Sequence, residues 1–126
     1  MRKRTKKSVR KSIDRLWSLC IRARDPMCCK CGKPTRDAHH LFGRKNLSTR
    51  WDLRNGIGLC AYCHVFDKQG FEQSPYITEN MNVIYDKFGL ETVKEIERIT
   101  YQIKKYTLDD YLNLEIELKK KLELLS

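Results

Sequence analysis

The first part of the chain has apolar side chains at helical spacing. Between residues 9 and 21 they recur every three or four positions, while basic side chains occupy the other faces. The apolar positions are Val9, Ile13, Leu16, Trp17, Cys20 and Ile21. Residues 8–25 are therefore predicted to form a basic amphipathic helix over about residues 9–23, with Ser8 as its N-cap and Pro26 ending it. Because Cys20 lies on the apolar stripe, we expect a buried thiol there.

The C-terminal segment, residues 73–126, contains three further helical patterns. The first spans Thr78–Phe88 and precedes Gly89, a residue typical of helix C-termini. The second covers residues 90–103. The third begins after Thr107, a suitable N-cap, and runs from 108 to about 125. These patterns predict a helical extension that either packs on the preceding elements or provides the interface of a homodimer.

The middle of the chain has a different pattern, rich in cysteine, histidine and glycine. Short strands are predicted around His40 and around Gly56–Leu59, with a loop over about residues 43–52 between them. A helix is predicted over about residues 61–69, with Gly70 as its cap. Together with the flanking helices, this segment predicts an α+β fold.

Charge is concentrated at the front of the chain. Of the net charge of +10, residues 1–24 contribute +9, residues 25–75 contribute +3, and residues 76–126 contribute −2. A cationic front and a nearly neutral remainder favour a polyanionic partner on the N-terminal side. Residues 1–7 are expected to be a disordered basic tail.

Length and composition exclude several classes of protein. The chain has 126 residues, which fits one domain or a small domain with an extension, and a core of this size gains from a metal staple. No apolar run approaches the roughly 20 residues of a membrane span, and none follows the basic start as in a signal peptide. We therefore expect no membrane association and a reducing compartment, in which cysteines are metal ligands or free thiols.

Two Cys-x-x-Cys pairs are the strongest chemical signal. Cys28 and Cys31 form the first pair, Cys60 and Cys63 the second, and 28 residues separate them. Two thiolates three positions apart can share one tetrahedral ion, and two such pairs complete a four-sulfur zinc site. A redox pair or disulfides would be the alternatives, which two pairs and the missing secretion signal disfavour.

All three histidines lie in the same segment. His39 and His40 are adjacent, and His64 directly follows a predicted zinc ligand. Four thiolates already satisfy one zinc ion, so the clustered histidines indicate a second, separate site.

These motifs resemble the HNH endonuclease pattern. The matching positions are Cys28-x-x-Cys31, Asp37-Ala38-His39-His40, Asn55 and Cys60-x-x-Cys63-His64. The chain is more closely similar to the phage NinG/Rap recombination endonucleases in its basic first helix, in the run Thr49-Arg50-Trp51-Asp52-Leu53-Arg54-Asn55, and in residues 88–93. The resemblance implies that residues 26–72 form a zinc-stapled, treble-clef-like ββα-metal nuclease module.

The resemblance also implies roles for individual residues. His40 would be the general base, and Asn55 the residue that orients it. His39 and His64 would bind one catalytic divalent ion, Mg²⁺ or Mn²⁺. Asp37 is an alternative or additional ligand, because a carboxylate suits these hard cations and lies on the same strand face as His39.

The HNH resemblance implies that the substrate is DNA. The closer NinG/Rap resemblance implies branched or recombination DNA, and a location in the cytoplasm of a phage-infected or prophage-carrying bacterium. Six basic side chains are candidate phosphate contacts, with loop solubility as the alternative for those between the predicted strands. They are Arg10, Lys11, Arg44, Lys45, Arg50 and Arg54. For Trp51, packing on the zinc module is favoured over base stacking.

Two other functions fit parts of the sequence. A site-specific HNH nuclease of the homing or restriction kind would need a sequence-reading domain, for which 126 residues leave little room. A non-catalytic, zinc-binding DNA-binding module would explain the cysteines and the basic front. It would leave the histidines, Asp37 and Asn55 without a role.

Overall fold

A computed structural model describes residues 3–126 of the chain. It has an α+β fold with one small antiparallel sheet. The elements in chain order are α1 (Lys6–Arg24), β1 (Asp37–His40), α2 (Leu47–Arg50), β2 (Gly56–Leu59), α3 (Thr78–Phe88), α4 (Leu90–Thr100) and α5 (Leu108–Leu125). A 3-10 turn at Leu53–Asn55 precedes β2, and a π-helical turn at Tyr62–Phe66 follows it.

Helix α1 confirms the predicted amphipathic helix but begins earlier than predicted. Its N-cap is Thr5, whose side chain accepts a hydrogen bond from the Ser8 backbone while the Ser8 hydroxyl accepts one from Thr5, both at 3.1 Å. Ser8 is thus the third helical residue and not the cap. The whole predicted apolar stripe, Cys20 included, is buried.

The prediction of a disordered tail over residues 1–7 is wrong for residues 4–7. Arg4 makes a bidentate ion pair with the buried Glu115 of α5, at 2.7 and 2.8 Å, and Thr5 begins the capping box. Met1 and Arg2 lie outside the described residues. Arg4 thereby compensates the charge of the buried Glu115.

Helices α3 and α5 have the predicted ends. Gly89 terminates α3 with φ +82°, and Thr107 caps α5 in a capping box with Asp110. Helix α4 ends at Thr100, three residues before the predicted end. Thr100 is buried and bonds the Thr49 hydroxyl at 3.1 Å, whereas Ile103 is 92% exposed and takes no part in the buried face.

Two hydrophobic cores lie within residues 3–126. The first core joins α1 to α5 and includes Trp51, Tyr111 and Leu118. The second core gathers β2, the Cys-x-x-Cys segments, Phe71 and the buried faces of α3 and α4. Because α5 packs on α1, the helical extension contributes to the fold of the chain itself.

The two strands form the predicted hairpin between these cores. β1 pairs with β2 antiparallel, with Asp37 opposite Leu59 and His40 opposite Gly56. Gly56 is required there, because the Trp17 indole occupies the space that a side chain on Gly56 would need.

The segments around the hairpin differ from the prediction. The predicted loop over residues 43–52 contains the short helix α2, and the predicted helix over residues 61–69 is only the π-helical turn. After that turn the chain doubles back, and Phe71 donates its N–H to the Cys63 carbonyl at 2.9 Å. A Cβ on Gly70 would lie 2.7 Å from the same carbonyl, so glycine permits the close return.

Within residues 3–126, none of the helices combines the length and the apolar character needed to span a bilayer.

Candidate functional site

The four predicted zinc ligands lie together. Their four sulfur atoms all lie within 4.8 Å of one another; they belong to Cys28, Cys31, Cys60 and Cys63. The Cys31 and Cys60 sulfurs are 3.5 Å apart, close to the roughly 3.8 Å edge of a tetrahedron with Zn–S bonds of about 2.3 Å. These cysteines can hold a structural metal ion such as zinc.

Two thiols of this cluster have pKa values that are shifted in opposite directions. Burial raises the pKa of Cys28, but N–H groups of Cys60, Cys31 and Lys30 outweigh it and bring this pKa to about 7. Burial and the neighbouring thiols raise the pKa of Cys63 well above its ordinary value. Four thiolates at this spacing therefore require a cation to compensate their charge.

Cys29 lies outside the cluster and bonds a buried carboxylate. Its sulfur is 3.6 Å from Asp25, which also accepts the Gly58 N–H at 2.9 Å. Arg24 and Lys87 neutralise Asp25 at 2.8 and 2.9 Å. Asp25 thereby connects the end of α1, strand β2 and helix α3.

A second group of metal-binding side chains lies beside the hairpin. It contains His39 from β1, His64 from the π-helical turn, and Glu72 from the returning segment. The His39 Nδ1 and His64 Nε2 atoms are 3.2 Å apart, and a Glu72 oxygen lies 3.2 Å from the latter. Two nitrogens bound to one ion at about 2.1 Å are separated by about 3.0–3.4 Å, so this spacing suits a shared cation.

Asp37 lies behind His64. Its carboxylate accepts a hydrogen bond from the His64 Nδ1 at 3.0 Å and pairs with Arg36 at 2.7 Å. This bond fixes the tautomer in which the His64 Nε2 lone pair faces His39. The geometry thus supports His39 in the ligand group, with Asp37 orienting His64.

His40 points to the opposite side of β1. Its ring stacks on Trp17 at 3.8 Å between centroids, and its Nε2 lies 2.9 Å from the Arg50 carbonyl. Burial lowers the pKa of His40 to about 4, with Arg44 adding to this lowering, so the ring is neutral near pH 7. A carbonyl only accepts, so Nε2 carries the proton and Nδ1 keeps its lone pair.

His39 is neutral for a similar reason. Burial, together with the nearby His64 and His40, lowers its pKa to about 4. A neutral imidazole is the form that binds a metal ion.

Asn55 holds the segment that supports His40. It is fully buried; its amide nitrogen donates to the Thr49 carbonyl and its amide oxygen accepts the Phe42 N–H, both at 3.0 Å. The Thr49 carbonyl directly precedes Arg50, whose own carbonyl bonds His40. Asn55 therefore fixes the loop between the strands and, through it, the imidazole.

One cleft of about 610 Å³ is lined by both histidines of β1, by His64 and by Glu72. Its rim includes Arg44 and Tyr101. His40 and the three residues that could hold a metal ion therefore border the same cleft.

The six predicted DNA-binding side chains are not all free. Arg50 is held by Asp14 at 2.7 Å and Arg54 by Asp52 at 2.9 Å. Arg44 has one long contact of 3.5 Å to Asp14 and is the member of the set that lines the cleft.

The remaining three basic side chains do not line the cleft. Lys11 and Lys45 are exposed, and the Arg10 guanidinium lies 6.0 Å from the Trp51 ring centre. Trp51 is 4% exposed and contacts the rings of Tyr106 and Tyr111. It is packed, as predicted, but in the first core and not on the zinc module.

Glu72 was not predicted from the sequence. It follows His64 by eight residues in a segment without periodicity, and it reaches the site because its N–H bonds the His64 carbonyl at 2.9 Å. The signal available was Gly70, whose close backbone approach returns the chain to the turn that carries His64.

Comparison of the chain with protein-family models, with curated proteins and with solved structures gave no match.

Proposed function

We propose that the protein is a metal-dependent DNA endonuclease of the HNH type that hydrolyses phosphodiester bonds. The observation that carries this proposal is one cleft shared by a neutral, carbonyl-anchored His40 and the His39–His64–Glu72 group. The order of these residues along the chain, with Asn55 and two flanking cysteine pairs, resembles the HNH pattern.

His40 acts as the general base in this mechanism. Its Nδ1 lone pair accepts a proton from the attacking water, while Nε2 keeps its own proton and donates it in the hydrogen bond to the Arg50 carbonyl. That carbonyl stabilises the imidazolium that forms, and the Trp17 ring restricts rotation of the imidazole. Asn55 keeps the carbonyl in position through its two bonds to the same loop.

His39, His64 and Glu72 would hold a divalent cation. Two imidazole nitrogens and a carboxylate oxygen are a donor set that suits Mn²⁺, with Mg²⁺ as the harder alternative. When bound there, such an ion supplies positive charge for the scissile phosphate and the leaving oxygen. The chain's own contribution is to keep three donors pointing into the cleft, with Asp37 setting the tautomer of His64.

We propose zinc as the ion of the four-cysteine cluster, with a structural role. The cluster ties the residues before β1 to those after β2, and His64 directly follows the ligand Cys63. Zinc bound by four sulfurs leaves no open position for a substrate. The cluster would therefore hold the hairpin and His64 in register without entering the reaction.

The proposed substrate is branched or recombination DNA. The nuclease pattern and the charge of +9 over residues 1–24 support DNA, while the closer NinG/Rap resemblance supports the branched form. Arg44 is the basic side chain at the cleft itself, and Lys11 and Lys45 offer further phosphate contacts.

The decisive experiment measures nicking of supercoiled plasmid and of a four-way junction with Mn²⁺ or Mg²⁺. Wild type should cut, whereas His40→Ala should lose at least about 100-fold in rate and keep its Mn²⁺ affinity. His39→Ala should lose both the cleavage rate and the Mn²⁺ affinity. Asp86→Ala, an exposed acid on α3, is the matched control and should cut like wild type. Salt-sensitive binding without cleavage under any metal would favour the non-catalytic DNA-binding module instead.

A further inference from the structure

Two tyrosine side chains at the cleft are left in solvent. Tyr76 is 85% exposed and Tyr101 is 76% exposed, and both line the cleft of His40. They come from separate parts of the chain: Tyr76 lies just before α3, and Tyr101 directly follows α4. Rings of this size contribute little to folding when so exposed, so their presence at one cleft wall needs another explanation.

Charge accompanies these rings. Arg44 is exposed and lines the same cleft. Lys104 and Lys105 follow Tyr101 in the chain but do not line the cleft, and the Lys104 Nζ lies 5.2 Å from the Tyr106 ring centre. Aromatic faces interleaved with cations are the chemistry that binds single-stranded nucleic acid, because bases stack on the rings while phosphates pair with the cations.

We propose that Tyr76 and Tyr101 form a stacking subsite for unpaired nucleobases next to the phosphate that the water activated by His40 attacks. The inference rests on the proposed nuclease function and narrows its substrate. In a duplex each base is already stacked on its neighbours and paired with its partner. A free ring face is offered by gaps, flaps and the open centre of a junction, so the subsite selects DNA with bases out of the stack.

Other exposed aromatic side chains provide controls. Tyr85 lies on α3, is 37% exposed, and does not belong to the cleft wall. Tyr85→Ala therefore removes a tyrosine side chain that lies outside the proposed subsite. Tyrosine-to-phenylalanine changes at 76 and 101 keep the ring, and tyrosine-to-leucine changes keep apolar bulk without a ring.

The binding test uses the His40→Ala chain, which does not cut, and a single-stranded oligonucleotide containing 2-aminopurine. Its fluorescence is quenched when the base stacks. We expect Tyr76→Ala and Tyr101→Ala each to weaken binding by about 5- to 150-fold and to abolish the quenching. The leucine variants should behave like the alanine variants, and the phenylalanine variants and Tyr85→Ala like the parent. Binding of fully paired duplex should not change.

A cleavage test with His40 intact compares paired duplex with the same duplex carrying a short gap. The alanine variants should lose rate on the gapped substrate alone. Equal losses on both substrates would overturn the subsite, as would leucine variants that retain the quenching, or a wild-type chain that binds no single strand. If wild type cuts no DNA but its quenching still depends on the two tyrosines, the nuclease proposal fails and the subsite stands.

Discussion

The Nδ1 nitrogen of His64 lies 3.0 Å from a carboxylate oxygen of Asp37, and its Nε2 nitrogen faces His39 at 3.2 Å. One hydrogen bond thus decides which nitrogen of His64 can bind a metal ion. Asp37, a residue of strand β1, orients the His64 ring towards His39, because Asp37 and His39 lie on the same face of β1.

Removal of Asp37 should therefore weaken the metal site without destroying it. We expect Asp37→Ala to lower Mn²⁺ affinity by about 10- to 100-fold, measured by calorimetric titration. Asp37→Asn should recover part of the loss, since its amide oxygen still accepts the Nδ1 proton. Complete loss of binding in both variants would instead make Asp37 a direct ligand.

Asn55 should be important for stability as well as for activity. Asn55→Ala leaves the Phe42 N–H without a partner inside the protein and removes one hydrogen bond of the Thr49 carbonyl, which keeps the Asp52 N–H at 3.1 Å. Each unsatisfied buried group costs about 1–3 kcal/mol, so chemical denaturation should show a loss of that order or more. Asn55→Asp restores only the acceptor and should recover little. A loss of activity at unchanged stability would contradict this dual role.

Removal of zinc should unfold the hairpin segment. Structural zinc contributes about 10–16 kcal/mol in small peptides near pH 7, which equals or exceeds the stability of about 5–15 kcal/mol of a whole domain. A strong chelator should lower the melting temperature sharply, as followed by circular dichroism. An unchanged melting curve would show that the four cysteines hold no structural ion.

Cys29 is the matched control for this cluster, since it adjoins Cys28 but bonds Asp25. Cys31→Ser should abolish tight zinc binding, whereas Cys29→Ser should retain the zinc content of wild type, measured by elemental analysis. Equal losses in both variants would mean that Cys29 can replace Cys28 as a ligand.

The Arg4–Glu115 pair should make stability depend on pH. Its hydrogen bonds lower the pKa of Glu115 from 4.5 to about 2. The unfolded chain therefore binds the proton more readily, and the stabilisation is complete above about pH 5 and is lost as the pH falls towards 2. Solvent screening keeps the stabilisation below the full value of the shift, because the Arg4 side chain is half exposed.

A comparison of wild type with Glu115→Gln isolates the contribution of the Arg4–Glu115 pair to the free energy of unfolding. At each pH the difference in unfolding free energy between the two chains cancels contributions that both share, including protonation of the thiols. The difference should favour wild type near pH 7 and shrink as the pH falls below about 5. A constant difference across this range would show that Arg4 does not stabilise the ionised form of Glu115.

The elements with strong local signals could be predicted from the sequence. The apolar stripe of α1, the glycine after α3 and the cap of α5 are determined by nearby residues, and the two strands are separated by a polar loop. The ends of α1 and α4 were predicted less well, because they depend on distant partners. Glu115 orders Arg4, and Thr49 binds Thr100.

The candidate site shows the same division. Its cysteines and histidines have a recognisable spacing, and the four predicted zinc ligands meet in one group while His39 and His64 meet in another. Glu72 has no such spacing to His64, since a turn closed by backbone hydrogen bonds brings it back. The engagement of Arg50 and Arg54 with acids likewise depends on contacts that a count of basic residues does not reveal.

His39 and His40 are consecutive, yet their rings pack on different halves of the protein. His39 meets Phe71 of the second core at 5.7 Å between ring centroids, and His40 stacks on Trp17 of the first. The distance between the proposed base and the proposed metal ligands thus depends on the alignment of the first core with the second. A slight shear between the two cores would separate these groups while most of the helical structure remains. In rising denaturant, the proposed nuclease activity should therefore disappear before helical structure does.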